Sequence, residues 1–354
     1  MKKFLAIALA LTLCLTMSLA AAETVVSWYT FGDVYLTSVR TAMEEAMTAL
    51  GMSYQMKDSN ANQQTQTDDI NTALVTGAEA IVINMVESGA IGTAEPLMNT
   101  VAQYGVPAVF FNRAVSTDDA EAAALFQSYE KSAFIGTKFD EAGKMQGDMI
   151  GEYVLANYDA IDLNKDGVIS YVMFKGDEAN QEAILRTQYG VENADAVLTA
   201  AGKPALAYYD AGATTKYLVD MNGTWSNTAS FEYMSTILAQ YNPAQGNMVE
   251  LIIANNDDMA LGAVNALTNI GYNTGVEGDP VIPVFGVDAT DAAKELIATG
   301  RMTGTIKQDA VGMANAVVLI AQNLKAGKTA FEGVTGDPEG TWRMNIPYAP
   351  YTGE

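Results

Sequence analysis

Short apolar runs alternate with longer stretches of helical pattern along most of this chain, and this alternation strongly limits the possible folds. The runs are rich in Val, Ile and Phe and indicate buried strands, whereas a stretch such as 36–50 is rich in Ala and Met. Such alternation predicts parallel βαβ units whose strands are covered by helices on both faces. Strands are predicted at residues 24–30, 79–84, 106–111, 133–136, 168–174, 205–209, 248–254, 281–287 and 302–306.

The same pattern lies on both sides of a polar segment at 162–170, which indicates two similar lobes. About 330 residues follow the predicted leader, and this length suits two domains of ordinary size. We therefore predict an α/β fold with two doubly wound, parallel-sheet lobes and a ligand cleft between them.

Residues 1–22 have the layout of a secretory signal peptide, with a basic start, an apolar run at 4–19 and small residues at 20–22. Cys14 follows Leu13, where a lipid-anchored leader would have a small residue, so a lipid anchor is the less favoured alternative. No later apolar run approaches the roughly 18 residues that a transmembrane helix needs. We expect export to a periplasm, with secretion or attachment at the cell surface as the alternative.

The charge of the chain is strongly negative. There are 42 acidic and 19 basic residues, and Lys2 and Lys3 fall in the leader, so the remainder carries a net charge of about −25. Nucleic acids and anionic membranes bind through basic patches that displace counterions. The charge therefore argues against both kinds of partner.

Catalytic motifs are missing from the sequence. The chain has no histidine, and its one cysteine lies in the leader. It also lacks a Gly-rich phosphate loop and a Gly-x-Ser-x-Gly nucleophile elbow. Asp33 and Asp288 could form the carboxylate pair of a glycosidase, but the sequence gives no distance between them. We predict that the protein is not an enzyme.

Several predicted strands are followed by Asp or Asn. Ligands of open α/β sheets bind outside the carboxyl ends of the strands, so these side chains would converge on one cleft from both lobes. The alternative is that each residue caps the helix that follows it. Carboxylates and amides together match the adjacent hydroxyls of a hydroxyl-rich ligand. These residues are Asp33, Asn84, Asn112, Asn256, Asp257 and Asp288.

The segment at 162–170 has the spacing of the first nine positions of an EF-hand calcium loop. Oxygen-bearing side chains occupy the first, third, fifth and ninth positions, and a glycine occupies the sixth, where the loop turns sharply. The twelfth position is a methionine rather than a glutamate, so the last ligand would have to come from elsewhere. The alternative is an ordinary polar turn. The residues are Asp162, Asn164, Asp166, Gly167, Ser170 and Met173.

Four segments together resemble the periplasmic glucose/galactose-binding proteins of sugar ABC transporters. Two of them, at 252–257 and 282–289, would also fit ribose-type relatives. The calcium-like segment narrows the resemblance to the glucose/galactose branch. The four segments are Val-Phe-Phe-Asn at 109–112, Asp-Leu-Asn-Lys-Asp-Gly at 162–167, Ile-Ile-Ala-Asn-Asn-Asp at 252–257 and Ile-Pro-Val-Phe-Gly-Val-Asp-Ala at 282–289.

This resemblance implies a chain that passes three times between the lobes, near residues 136–137, 308–309 and 346. The N-terminal lobe would comprise residues 23–137 and 309–345. The C-terminal lobe would comprise residues 138–308 and 346–354, and it would include the calcium loop.

The resemblance also implies a structural calcium ion away from the sugar cleft. In that family a glutamate before the segment at 252–257 completes the site, and the matching residue is Glu250. Val168 would contribute its carbonyl oxygen, and Ser170, where the family usually has glutamine, would ligate through a water. The implied ligands are Asp162, Asn164, Asp166, Val168, Ser170 and Glu250.

For the sugar, the resemblance implies aromatic faces on both sides of the ring and planar polar groups around its edge. Tyr35 and Trp225 match the aromatic residues, although an ordinary core or surface tryptophan is the alternative for Trp225. The polar residues that match directly are Asp33, Asn112, Arg186, Asn256 and Asp288. Asn180, Glu182 and Gln308 stand where the family has histidine, aspartate and asparagine, and such changes alter which hydroxyl pattern fits.

The expected function is therefore delivery of a monosaccharide, D-galactose or D-glucose first, to the permease of an ABC transporter by a monomeric protein. Binding of a pentose or a modified hexose is one alternative, indicated by the three departures in the site. Service chiefly as a ligand carrier for a chemoreceptor is another alternative, and the sequence does not separate it from transport.

Overall fold

Two sheets with helices packed against them form the two lobes of the protein. The structure is a computed structural model that describes residues 23–353, so the predicted signal peptide at 1–22 lies outside the described residues. Each sheet has seven strands. The predicted α/β fold with two parallel-sheet lobes is confirmed.

The strands and helices alternate over most of the described chain. The strands are β1 (Thr24–Trp28), β2 (Tyr54–Asp58), β3 (Ala80–Ile83), β4 (Ala108–Phe111), β5 (Ser132–Gly136), β6 (Ser170–Lys175), β7 (Ala207–Tyr208), β8 (Leu218–Val219), β9 (Leu251–Ala254), β10 (Val284–Asp288), β11 (Gly304–Gln308), β12 (Asp337–Glu339), β13 (Arg343–Asn345) and β14 (Tyr348–Tyr351). The helices are α1 (Val34–Ala49), α2 (Gln63–Val75), α3 (Ile91–Tyr104), α4 (Asp119–Gln127), α5 (Glu141–Ile161), α6 (Gln181–Ala200), α7 (Asn227–Gln240), α8 (Asp257–Thr268), α9 (Asp291–Ala298) and α10 (Ala310–Lys325).

The two sheets share one topology. The first has the order β12-β13-β5-β4-β3-β1-β2, and the second has the order β14-β11-β10-β9-β6-β7, with β8 paired to β6. Pairing is antiparallel only where β12 meets β13 and where β14 meets β11, among the described strands. In the first lobe β1 lies between β2 and β3, and in the second lobe β6 lies between β7 and β9; such a reversal of strand order opens a crevice at the carboxyl ends of the strands.

Local sequence explains how these elements pack. The strands β1, β3, β4 and β5 are fully buried, as expected for a parallel sheet that is covered on both faces. Helices α5 and α6 approach closely because glycines recur every four residues along α5, at Gly143, Gly147 and Gly151. A Cβ added at Gly147 would lie 2.4 Å from the carbonyl oxygen of Tyr189 on α6, so a larger residue there would push the helices apart.

The chain leaves the first sheet after β5 and enters the second lobe with α5, which packs against β10, β11 and β14. It returns between Gln308 and Ala310, since α10 packs against β3, β4 and β5. It crosses again between β13 of the first sheet and β14 of the second. Three short connections therefore join the lobes beside the cleft.

Within residues 23–353, the structure contains no helix that is both long enough and apolar enough to cross a membrane.

Candidate functional site

One cavity between the lobes collects side chains from the carboxyl ends of both sheets. Asn112 directly follows β4, Asp288 ends β10 and Gln308 ends β11, so the strands themselves carry these residues to the cleft. The structure brings together every residue that the sequence predicted for the sugar site and adds one more, Arg113. The lining residues are Asp33, Tyr35, Asn112, Arg113, Asn180, Glu182, Arg186, Trp225, Asn256, Asp288 and Gln308.

For Asp33 and Asn256, the helix-cap and cleft interpretations hold at the same time. Asp33 Oδ1 accepts a hydrogen bond from Leu36 N at 2.8 Å, which caps α1. Asn256 Oδ1 accepts one from Met259 N at 3.0 Å, which caps α8, and Asn180 caps α6 in the same way. Because capping uses one oxygen and fixes the rotamer, each side chain is held rigidly in the cavity wall.

Arg186 lies at the centre of the polar network and is only 2% exposed. Its Nη1 donates to the carbonyl oxygen of Asn255 at 2.9 Å. Its Nη2 donates to Glu182 Oε2 and Gln308 Oε1, both at 3.1 Å, and to Tyr348 Oη at 2.8 Å. A buried guanidinium needs this kind of pairing to keep its charge out of water, so its partners also fix its orientation in the cleft.

Glu182 links the cleft, through hydrogen bonds, to two of the chain segments that join the lobes. Its Oε1 accepts hydrogen bonds from Tyr348 Oη at 2.8 Å and from Thr137 Oγ1 at 2.5 Å. Thr137 follows β5 at the first connection, and Tyr348 begins β14 after the third. The same carboxylate that pairs with Arg186 is therefore bonded to two of the three connections.

Tyr35 and Trp225 supply the aromatic surface of the cavity and are 6% and 7% exposed. Trp225 has a φ of 59°, a left-handed conformation that is uncommon for a bulky residue. Its ring lies against Gly176, where an added Cβ would be 2.1 Å from Trp225 Cδ2. Asn256 Nδ2 also donates to the carbonyl oxygen of Trp225 at 3.3 Å. The strained backbone is thus held by its neighbours, and it places the indole in the cleft.

Burial dominates the electrostatics of the cleft carboxylates. It raises the pKa of Asp33, and it raises the pKa of Asp288 well above the ordinary range although Arg186 opposes this shift. Burial also raises the pKa of Asp257, next to the cleft, to about 7. Burial disfavours the ionised form of Asp33 and Asp288, and a ligand hydroxyl that donates to either carboxylate would stabilise that form.

Two of the polar strand-end residues lie behind the cavity wall. Asn84 Nδ2 donates to the carbonyl oxygen of Phe111 at 3.1 Å, and Asp257 Oδ1 accepts a hydrogen bond from Thr305 Oγ1 at 2.6 Å. Both residues are fully buried, and neither belongs to the lining. They hold neighbouring strand ends together, and they support the site without facing it.

Arg113 is the lining residue that the sequence analysis missed. Its Nη2 lies 3.3 Å from Asp177 Oδ2, so an ion pair joins the first lobe to the second at the edge of the cleft. Its Nε donates to the carbonyl oxygen of Met85 at 2.7 Å, and its guanidinium carbon lies 4.2 Å from the centre of the Tyr29 ring. The sequence feature that could have indicated Arg113 is its position directly after Asn112, at the end of β4.

The segment at 162–170 forms a compact loop against Glu250. Glu250 Oε1 accepts a hydrogen bond from Leu163 N at 2.8 Å, and its Oε2 accepts from Ser170 N at 2.8 Å, so this carboxylate joins the two ends of the loop. Asp162 Oδ1 is buried and has no hydrogen-bond partner in the described chain. Burial also raises the pKa of Glu250.

This donor set fits a hard cation such as calcium, which prefers carboxylate, amide and carbonyl oxygens. In the described part of the chain, no three Asp, Glu, His or Cys residues converge closely enough to hold a metal by themselves. The amide of Asn164 and the carbonyl of Val168 would therefore be needed beside Asp162, Asp166 and Glu250. An unpaired buried oxygen at Asp162 is the observation that favours a cation there.

Residues 24–329 match the family described as periplasmic binding protein domain. The chain belongs to the periplasmic binding protein family. Because the members of this family bind solutes, the prediction that the chain is not an enzyme is confirmed.

Known relatives cover nearly the whole chain. It is 33% identical to the D-galactose/methyl-galactoside binding periplasmic protein MglB of Haemophilus influenzae, over 93% of this chain and 88% of the relative. It is 28% identical to a putative rhizopine-binding protein of Rhizobium meliloti, over 93% of this chain and 92% of that one. A solved ABC transporter solute-binding protein of Bacillus halodurans with bound myo-inositol matches its fold with a TM-score of 0.68 and 21% identity, over 96% of each chain.

Proposed function

We propose that this protein binds a neutral monosaccharide in the cleft between its lobes and delivers it to the permease of an ABC transporter. The observation that carries the proposal is the composition of the closed cavity. It combines aromatic faces, fixed carboxylates and amides, and a paired buried arginine. A polyhydroxylated ring matches this mixture because each hydroxyl both donates and accepts a hydrogen bond, while its C–H faces pack on aromatic rings.

D-Galactose or D-glucose is the first candidate ligand. The relative from Haemophilus influenzae is named for D-galactose and methyl-galactoside, and its similarity extends over nearly the full chain. The alternatives are a pentose, a modified hexose or another ring polyol. They are favoured by Asn180, Glu182 and Gln308, which depart from the glucose/galactose pattern, and by the myo-inositol bound to a protein of the same fold.

Ligand binding would close the lobes because the ligand touches both of them only when the cleft is shut. The closed form has direct contacts between the lobes besides those that a sugar would make. Arg113 pairs with Asp177, and Asn180 Nδ2 donates to Ser88 Oγ at 3.3 Å. The closed shape, which a permease could recognise, would thus be stabilised jointly by the ligand and by these contacts.

Export to a periplasm is part of the same proposal, since the family is named for that compartment and a leader pattern precedes the described residues. A chemoreceptor is a second candidate partner for the closed form. A pull-down with the sugar-loaded protein from solubilised membranes distinguishes the two: recovery of a permease supports transport, whereas recovery of a receptor alone supports the carrier role.

Titration calorimetry with D-galactose, D-glucose, D-ribose and myo-inositol tests the binding proposal. We expect saturable binding of one of them with a dissociation constant on the order of 1 μM, or about −8 kcal/mol. The recovered sugar should be chemically unchanged. Absence of binding to any neutral sugar or polyol by folded protein would overturn the proposal.

We also propose that the loop at 162–170 binds a structural calcium ion through the residues that the sequence predicted. The support is the unpaired, buried Asp162 Oδ1 and the position of Glu250 across both ends of the loop. Such an ion would join the loop to β9, which directly follows Glu250, and would therefore stabilise the second lobe.

A further inference from the structure

Tyr348 is a buried tyrosine that lies beside the cleft without lining it. It is the first residue of β14, after the third connection between the lobes, and it is 5% exposed. Its ring packs with Ala142, Val287 and Ile306 in a small apolar cluster of the second lobe. Because Tyr348 does not belong to the cavity lining, any effect that it has on binding must pass through side chains that do.

The hydroxyl of Tyr348 contacts both members of the ion pair in the cleft. Tyr348 Oη lies 2.8 Å from Arg186 Nη2 and 2.8 Å from Glu182 Oε1. Arginine can only donate, and a carboxylate that is paired with arginine can only accept. The hydroxyl therefore accepts from Arg186 and donates to Glu182, so the direction of both bonds is fixed. Among the hydrogen bonds within residues 23–353, no other group contacts both side chains.

Thr137 holds the same carboxylate from the first connection between the lobes. Its Oγ1 donates to Glu182 Oε1 and lies 3.1 Å from Tyr348 Oη. Its carbonyl oxygen accepts a hydrogen bond from Arg343 Nη2, and Arg343 lies on β13 in the sheet of the first lobe. Glu182 Oε1 is thus held by one hydroxyl from each of two connections, and the first lobe fixes the backbone of one of them.

The hydroxyl of Tyr348 keeps its proton in these surroundings. Burial raises the pKa of Tyr348 well above the usual tyrosine range, although Arg186 opposes this shift. A neutral hydroxyl is both a donor and an acceptor, so it can serve a carboxylate and a guanidinium together. A phenylalanine would pack in the same apolar cluster, but it would offer nothing to either member of the ion pair.

We propose that Tyr348, assisted by Thr137, is a positioning residue for ligand binding, because the two hydroxyls hold the Arg186–Glu182 pair in the orientation that the ligand meets. This inference rests on the proposed function. Arg186 and Glu182 are one helical turn apart on α6, and two long side chains at this spacing can pair in more than one rotamer combination. Without the hydroxyl of Tyr348, only a fraction of the ligand-free molecules would present the pair correctly. The apparent affinity would fall by that fraction.

Loss of pre-organisation has a different kinetic signature from loss of a ligand contact. When fewer ligand-free molecules are competent to bind, the observed association rate falls, while the dissociation rate of the formed complex stays the same. Loss of a contact in the complex mainly speeds dissociation. The hydroxyl of Tyr348 should therefore act on association.

The substitution Tyr348→Phe tests this role by stopped-flow tryptophan fluorescence with D-galactose, or with whichever of D-glucose, D-ribose and myo-inositol binds more tightly. We expect the association rate to fall about threefold to tenfold, and the dissociation rate to change by less than about twofold. Thr137→Val should have a smaller effect of the same kind. Thr137→Ser, which keeps the hydroxyl, should restore the wild-type association rate.

Tyr129→Phe is the matched control. The Tyr129 hydroxyl donates to the carbonyl oxygen of Val106 at 2.7 Å. This bond lies at the amino ends of β4 and β5, opposite the cleft, so both rates of this variant should equal those of the wild type.

A double-mutant cycle with Arg186→Met tests whether Tyr348 acts through the ion pair. In the Arg186→Met background there is no ion pair to orient, so the further change Tyr348→Phe should weaken binding by less than about twofold. If Tyr348 served only the packing of β14, it would weaken binding by the same factor in both backgrounds.

Three results would overturn the positioning role while leaving sugar binding intact. They are a wild-type association rate in Tyr348→Phe, a loss of affinity that appears only in the dissociation rate, and an equal loss in the two backgrounds. If Tyr348→Phe does not fold, a wild-type association rate in Thr137→Val overturns the role in the same way. Failure of the wild type to bind any neutral sugar or polyol would instead overturn the proposed function itself.

Discussion

The cleft and the loop at 162–170 are built from the same kinds of residue, yet they leave opposite atoms unpaired. Within residues 23–353, the buried cleft atoms without a hydrogen-bond partner lie on Tyr35, Arg186 and Gln308, and each of them can donate. In the same part of the chain, the unpaired buried atom of the loop is an acceptor, Asp162 Oδ1. Asp, Asn and Glu therefore do not define a site by themselves. The atoms that the fold leaves without partners indicate whether a hydroxylated molecule or a cation is expected there.

Local charge reinforces this difference. The cleft carboxylates share their cavity with Arg113 and Arg186, which are both buried. The only basic residue in the loop is Lys165, which is exposed and has a left-handed backbone with a φ of 58°. The loop therefore concentrates uncompensated negative charge, as a cation requires, whereas the cleft comes close to balance, as a neutral ligand requires.

The largest effect should come from Arg186→Met. This change removes a ligand contact and leaves the Glu182 carboxylate without its buried partner, which together cost about 2–5 kcal/mol of binding and reduce affinity on the order of 100-fold. Titration calorimetry with the preferred sugar measures this loss of affinity. Lys144→Met on the exposed surface of α5 is the control and should bind like the wild type. A loss of less than threefold in Arg186→Met would show that the arginine does not contact the ligand.

Calcium removal should act on stability far more than on sugar affinity. If calcium is present at about 100 times its dissociation constant, it adds about 2.7 kcal/mol, so a chelator should lower the melting temperature by about 5 °C or more. Asp162→Asn should melt at the lower temperature and no longer respond to the chelator. Asp159→Asn, an exposed acid on α5 outside the loop, should respond like the wild type. An identical chelator response in both variants would exclude the loop as the metal site.

Asp177→Asn should have a smaller effect, because it weakens the ion pair with Arg113 between the lobes and Asp177 itself does not line the cavity. We expect a threefold to tenfold faster dissociation of the sugar, with little change in the association rate, since the pair forms as the cleft closes. Stopped-flow fluorescence of the cleft tryptophan measures both rates. Asp291→Asn, whose partner Lys294 is solvent-exposed, is the control and should leave both rates unchanged.

Asp257 should give the ligand-free protein a pH dependence of stability that is separate from sugar binding. Burial raises its pKa to about 7, so the folded state holds a proton that the unfolded state, with a pKa of about 4, releases. Between about pH 4 and pH 7 this group therefore makes the ligand-free protein less stable as the pH rises. Urea unfolding at several pH values should show a shallower decline across this window in Asp257→Asn than in the wild type. An unchanged or steeper decline would contradict the raised pKa.

Much of the fold followed from the sequence because fully buried parallel strands produce continuous apolar runs. The strand β2, Tyr54–Asp58, was not predicted because it lies at the sheet edge and carries polar, partly exposed residues. The short strands β8, β12, β13 and β14 were missed for a similar reason. They are two to four residues long and depend on neighbours that are distant in the chain.

The candidate site was less accessible to sequence reasoning than the fold. The resemblance supplied its residues, and the structure places them in one cavity, but their partners are set by tertiary geometry. Glu182 bonds Thr137 and Tyr348, which lie 45 and 166 residues away in the chain. No local pattern reports contacts of that kind. The burial that leaves the Tyr35 hydroxyl unpaired is likewise a property of the assembled cleft.

The most direct test of the account is a crystal structure of the protein with its preferred sugar, grown with calcium present. The account predicts a ring between Tyr35 and Trp225, with ligand oxygens within about 3.2 Å of Arg186 and Gln308. It also predicts a calcium ion bonded to Asp162 Oδ1. A sugar bound elsewhere, or a ring in the cleft without contacts to Arg186 and Gln308, would contradict it.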